Sequence, residues 1–121
     1  MSRNKNILIV DDNPNMSSLL SDILEIFECK SVCASDGEEA LKCLESQKFD
    51  MVITDLRMPK MHGIDLLKTV KEDYPQLPVV VITGFSDDTT KDKAIDARAD
   101  GFLAKPFRVN DIQGLLEKFL G

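Results

Sequence analysis

Five short apolar runs punctuate the chain: NILIV (Asn6 to Val10), SVCA (Ser31 to Ala34), MVIT (Met51 to Thr54), PVVVIT (Pro78 to Thr83) and GFLA (Gly101 to Ala104). Most are unbroken rather than alternating, which predicts strands covered on both faces. Between them the apolar positions recur every three or four residues. Met16, Leu19, Leu20, Ile23, Leu24 and Phe27 form one such stripe, and a stripe of that spacing turns one helix face to a core. Asn13 followed by Pro14 supplies a capping side chain and then a proline suited to the first helical turn. A second helix is predicted behind Asp36 from Ala40, Leu41 and Leu44, and a third from Leu66, Leu67 and Val70, ending before Pro75. The last stripe holds Ile112, Leu115, Leu116, Phe119 and Leu120. Gly114 within it costs about 1 kcal/mol relative to alanine. The segment SDDTTKDKAIDARAD, residues 86–100, differs: only Ala94, Ile95, Ala97 and Ala99 are available to bury, and its start is crowded with poor helix formers. A weakly anchored fourth helix is expected there.

Strands alternating with helices through short connections predict an α/β fold, a doubly wound parallel sheet of five strands with right-handed crossovers and helices on both faces. At 121 residues and 13.5 kDa the chain matches one domain, expected to occupy residues 1–121 without a linker or repeat. Its 43% hydrophobic and 30% charged residues suit a soluble globular protein. A net charge of -6 argues against direct nucleic-acid binding or adhesion to an anionic membrane. No apolar run approaches a membrane span, and MSRNKNILIVDD reaches its acids too soon for a secretion signal, so a cytoplasmic location is expected. Cys29, Cys33 and Cys43 are odd in number and lack zinc spacing, and are read as reduced, small apolar residues.

In a parallel sheet the residues that follow the strands gather on one edge, where open α/β sheets bind their ligands. Asp11 and Asp12 follow the first run, Asp55 the third and Lys105 the fifth, while Thr83 ends the fourth. Each alone has a plain explanation: Asp11 and Asp12 complement a helix dipole, Asp55 closes a strand, and Lys105 is a solvated charge. Together, three close carboxylates repel one another unless a cation is shared. Few ligands, all hard oxygens, favour Mg²⁺ that keeps several waters and completes its shell with phosphate oxygen. Neither a GxxxxGK loop nor GxGxxG is present, so nothing cradles a nucleotide. An aspartate can itself attack phosphorus, with a metal and a lysine neutralising the transferred charge. Asp55 is the candidate nucleophile, and Thr83 a candidate hydrogen-bond donor to the phosphoryl group.

With LIVDDNP, DLRMPKMHG, VVVITG and GFLAKPF in that order, each at a strand end, nearly the whole chain resembles the receiver domain of bacterial two-component response regulators. The resemblance implies a flavodoxin-like (βα)5 fold with strand order 2-1-3-4-5. It implies that Asp55 accepts phosphate from a phosphohistidine on a sensor histidine kinase or histidine phosphotransfer protein. Asp11, Asp12, Asp55 and the backbone carbonyl of Arg57 would organise Mg²⁺, with Mn²⁺ as a substitute. Thr83 and Lys105 would contact the phosphoryl oxygens, Phe102 would turn inward as Thr83 moves, and the bond before Pro106 would be cis. Arg57 and Phe85 occupy variable rim positions, where bulky side chains would shield the acyl phosphate and lengthen its lifetime. Such a protein is a phosphoacceptor that assists its own phosphorylation and dephosphorylation rather than an enzyme acting on external substrates. Phosphorylation would shift the face formed by the fourth helix, fifth strand and fifth helix, where a downstream effector protein or domain, or a second copy in a phosphorylation-dependent homodimer, would bind. The alternative is an N-terminal receiver fragment of a larger transcriptional or enzymatic regulator. Three departures stand out: His62 where an acid or amide is common, Glu28 where many members have the glycine that ends the first helix, and the polar fourth helix.

Overall fold

The computed structural model describes residues 5–55, 63–83, 95 and 98–120, the side chains of residues 63, 64 and 83 apart. In chain order they form β1 (Asn6–Val10), α1 (Pro14–Ile26), β2 (Lys30–Ala34), α2 (Gly37–Ser46), β3 (Met51–Asp55), α3 (Gly63–Asp73), β4 (Val79–Thr83), β5 (Gly101–Ala104) and a C-terminal helix (Val109–Leu120). All four strand pairings are parallel and the order is β2-β1-β3-β4-β5. Register places Val10 beside Ala34 and Thr54, Asp55 beside Ile82, and Thr83 beside Ala104. The strand ends that carry the candidate chemistry therefore lie along one sheet edge.

Successive strand residues face opposite ways, so unbroken apolar runs feed two cores. Leu8, Val10, Val52 and Val81 pack with Leu44 of α2 and Leu66, Leu67 and Val70 of α3. Ile7, Ile9, Ile53 and Val80 face the other way, onto Leu20 and Leu24 of α1 and Ile112 and Leu116 of the C-terminal helix. β2 departs from the expected double cover. Its Lys30 and Cys33 are exposed because it is an edge strand, while Ala34 is buried. Cys29 behaves as the expected small apolar residue at 5% exposure, but Cys33 does not.

Helix ends follow the cap chemistry. Asn13 Oδ1 accepts from the Asn15 amide at 3.0 Å, and Asp36 Oδ1 accepts from the Glu39 amide at 2.8 Å, satisfying amides that have no partner inside the helix. At the other end of α1 the Cys29 amide donates to the Leu24 carbonyl at 2.9 Å, and the Glu28 amide to the Glu25 carbonyl at 3.0 Å. That pair of bonds is a Schellman cap, and it requires the left-handed region at residue 28. Glu28 adopts it, with φ 61°. The turn expected to differ for want of a glycine is thus retained, with glutamate in a conformation that glycine adopts at less steric cost.

A polar clamp ties the far edge of the sheet. Lys71, 9% exposed, donates from Nζ to the Leu77 carbonyl at 3.0 Å and to Asp100 Oδ2 at 2.8 Å. The same carboxylate oxygen accepts from the Val79 amide at 2.8 Å, and the Asp100 amide donates to the Val79 carbonyl at 2.9 Å. Lys71 and Asp100 thus fix the starts of β4 and β5 relative to α3. Most of the segment 86–100 lies outside the described residues; within it Ile95 is helical and 53% exposed, although it is the largest apolar side chain there. His62 also lies outside the described residues.

Candidate functional site

β1 delivers Asp11 and Asp12 to the sheet edge, and their side chains meet different surroundings. Asp12 is exposed, whereas Asp11 is 3% exposed and carries Oδ2 with no hydrogen-bond partner. Its other oxygen, Oδ1, accepts from the Asn13 amide at 2.9 Å, and its own amide donates to the Ala34 carbonyl at 3.0 Å. The carboxylate is thus held by the loop that starts α1 and is shielded from water. Burial pushes its pKa up, and the neighbouring charges of Asp55 and Asp12 push the same way. The Asn13 amide and the Lys105 ammonium oppose them.

Asp55 is the last residue of β3 rather than the first after it, with its side chain 13% exposed. Lys105, just beyond β5, places Nζ 3.5 Å from Asp55 Oδ2. That is well beyond the 2.7–2.9 Å of a tight charge-assisted bond, and the lysine side chain is 38% exposed. Attraction is present without a tight bond fixing the ammonium. Beneath the acid, Thr54 is wholly buried and its hydroxyl donates to the Asp55 carbonyl at 3.0 Å. This bond holds the strand end from which the carboxylate projects. Thr54 was not among the sequence candidates, and only its polar type inside an apolar run marked it.

Of the other sequence candidates, Thr83 ends β4 next to Ala104, which puts its backbone on the same edge as Asp55 and Lys105. Phe102, in β5, is partly buried against the core below α3. The Lys105–Pro106 peptide is cis. Arg57 and Phe85 lie outside the described residues.

Asp11 Oδ2 is the observation against which a cation is tested. A buried carboxylate oxygen without a partner, repelled by two neighbouring acids, is stabilised by a divalent ion. Among the described residues no three acidic, thiol or imidazole groups converge as a metal cage. Mg²⁺ fits such a donor set, because it commonly binds through one or two carboxylates and keeps waters. The residues present therefore suit Mg²⁺ better than Ca²⁺ or zinc.

Comparison with known proteins gives a consistent assignment. Residues 7–117 match the family described as the response regulator receiver domain. The alkaline phosphatase synthesis transcriptional regulatory protein PhoP of Bacillus subtilis is 32% identical over 117 residues, spanning 97% of this chain and 49% of that protein. The transcriptional regulatory protein ZraR of Escherichia coli is 35% identical over 117 residues, spanning 97% of this chain and 26% of that protein. The chain thus spans half or less of these relatives. Among solved structures, a response regulator receiver domain protein from Clostridium thermocellum superimposes with TM-score 0.89 at 29% identity, covering 96% of this chain and 94% of the other. Among the described residues no helix is long and apolar enough to cross a membrane.

Proposed function

Since the chain belongs to the receiver domains of two-component response regulators, a family of regulatory signalling domains, we propose that it is a phosphoacceptor switch whose acceptor is Asp55. The observation that carries this reading is the meeting of Asp55 Oδ2 with Lys105 Nζ at 3.5 Å beside the unpartnered Asp11 Oδ2. A carboxylate oxygen of Asp55 attacks the phosphorus of a phosphohistidine on a kinase or phosphotransfer protein. The P–O bond forms as the P–N bond breaks, and the departing imidazole nitrogen keeps the electron pair and takes up a proton. Lys105 neutralises a phosphoryl oxygen, and the Thr83 hydroxyl donates to another. Asp11 and Asp12, with Asp55 and the carbonyl of Arg57, would hold Mg²⁺, or Mn²⁺ in its place. When bound, the metal offsets charge on the phosphoryl oxygens. Water attack on the same phosphorus returns Asp55 to its free form, and the bulk of Arg57 and Phe85 slows that attack.

The switch follows from charge. A phosphoryl group on Asp55 adds acceptor oxygens that Thr83 and Lys105 satisfy in one arrangement only, so the population moves toward that arrangement and Phe102 follows. The altered face, made by segment 86–100, β5 and the C-terminal helix, then binds an effector or a second copy. The relatives named as transcriptional regulators are two to four times as long as the matched region. Their length supports a second reading, in which residues 1–121 act as the receiver unit of a larger regulator. Intact mass after incubation with acetyl phosphate and Mg²⁺ tests the first step: one phosphoryl group is expected on the wild type and none on Asp55→Asn. Labelling that persists in the variant overturns the assignment.

A further inference from the structure

Thr54 is the one polar side chain of β3 before Asp55, and it is wholly buried. Alternation along the strand turns it to the same side as Val52, so it faces the core under α2 and α3. Its neighbours across the sheet are Val10 and Val81, both wholly buried and both part of that apolar layer. Valine has the same branched shape as threonine and would fill this place with no polar atom to satisfy, so packing alone gives no reason for a hydroxyl here. The hydroxyl donates to the Asp55 carbonyl at 3.0 Å. That carbonyl belongs to the peptide that leads out of β3 toward Arg57 and α3.

We infer that Thr54 is a positioning residue of the metal site: its hydroxyl fixes the direction in which the chain leaves Asp55, and so sets the Arg57 carbonyl against the Asp55 carboxylate for one Mg²⁺ ion. The inference rests on the proposed metal role of Asp55 and Arg57, and does not require that Asp55 be phosphorylated. The peptide plane after Asp55 turns about a single soft bond, the one from Cα to the carbonyl carbon. A hydrogen bond to that carbonyl restrains the turn. The two proposed ligands lie two residues apart in the chain, so an error in this first rotation is carried directly to the second ligand. Water does not reach the hydroxyl to compete for it, because Thr54 has no exposed surface. Groups that hold a ligand in place without touching the ion are worth about 10–100-fold in metal affinity or activity.

Thr54→Val and Thr54→Ser separate this role from packing. Valine keeps the shape and removes the donor, whereas serine keeps the donor and removes a buried methyl. Mg²⁺ is titrated into each whole chain without a phosphoryl donor and followed by the amide shifts of Asp12 and Asn13, and Tm is measured in EDTA. The Mg²⁺ concentration for half-saturation should rise about tenfold in Thr54→Val and stay within about twofold of wild type in Thr54→Ser. Tm should fall in Thr54→Ser through the lost methyl, so the variant that loses packing keeps its affinity for the metal. A residue that only packs gives the opposite pattern. Unchanged half-saturation in Thr54→Val, or an equal rise in Thr54→Ser, would overturn the inference. If acetyl phosphate labels Asp55 in the wild type while Thr54→Val binds Mg²⁺ as the wild type does, the role of Thr54 alone fails. If the tenfold rise is found but Asp55 is never labelled, the role of Thr54 stands and the proposed function fails.

Discussion

Replacing Asp11 with asparagine removes a charge from the most confined position of the site, and should stabilise the metal-free protein. The oxygen that accepts from the Asn13 amide is kept, so the loop into α1 survives. What disappears is a carboxylate at 3% exposure whose Oδ2 has no partner and which Asp55 and Asp12 repel. An unsatisfied buried polar group costs about 1–3 kcal/mol, and more when charged. The substituted amide still lacks a partner, so the gain is the charged excess, about 1–2 kcal/mol at neutral pH. For 121 residues, an unfolding entropy of about 2.1 cal/mol/K per residue converts that to a Tm rise of about 4–8 °C. The pH dependence has a definite sign. Burial raises the folded-state pKa of Asp11 above its unfolded value. Its stability deficit is therefore absent below the unfolded pKa, develops as pH rises, and is complete above the raised pKa. Thermal unfolding followed by circular dichroism in EDTA, from about pH 4 to about pH 8, should show the variant's advantage growing with pH across the carboxylate range. Saturating Mg²⁺ should reverse the ranking, because a ligand at a hundred times its Kd stabilises the wild type by about 2.7 kcal/mol while the variant gains less. A variant less stable than wild type in EDTA at neutral pH, or an advantage that does not shrink on acidification, would refute this account of Asp11.

Three structural substitutions test the fold. Glu28→Gly relieves the left-handed strain at φ 61° but loosens the unfolded chain, so urea unfolding should show a net gain of at most about 1 kcal/mol; a clear loss would mean that the cap does not need this conformation. Gly114 is exposed in the C-terminal helix and an added Cβ would meet nothing within 4 Å, so Gly114→Ala should gain about 0.5–1 kcal/mol in the same assay. Asp100→Ala strips the Val79 amide and Lys71 of their shared acceptor, and should cost about 2–4 kcal/mol; a cost under about 0.5 kcal/mol would show that the clamp contributes no more than an ordinary surface pair.

The alternation of strands and helices was legible chiefly because the inner strands β1, β3 and β4 are buried on both sides and read as unbroken apolar runs. Strand order was not: periodicity says which residues are buried, not which strand is the neighbour, and 2-1-3-4-5 came from the family resemblance. The gathering of Asp11, Asp12, Asp55 and Lys105 on one sheet edge was legible because each sits at or just past a strand end. Which of the two adjacent acids is desolvated could not be read, because that depends on the Asn13 amide and the burial around Asp11. The Lys71 clamp joins residues 29 apart in sequence, and neither one carries a local signal. Cys33 was misread as an interior residue since an apolar run does not reveal that its strand lies at the sheet edge. Glu28 shows the reverse: the missing glycine suggested a changed turn, but the buried Cys29 and its bond to Leu24 hold the cap in place.

The acceptor itself is tested most directly by trapping it. The wild type, phosphorylated by acetyl phosphate with Mg²⁺, is reduced with borohydride, which attacks acyl phosphates, and digested for tandem mass spectrometry. The predicted result is a single reduced residue at Asp55, lost when EDTA replaces Mg²⁺ in the phosphorylation step. Reduction at Asp11 or Asp12 instead, or equal labelling of Asp55 in EDTA, would contradict a metal-assisted acyl phosphate on Asp55.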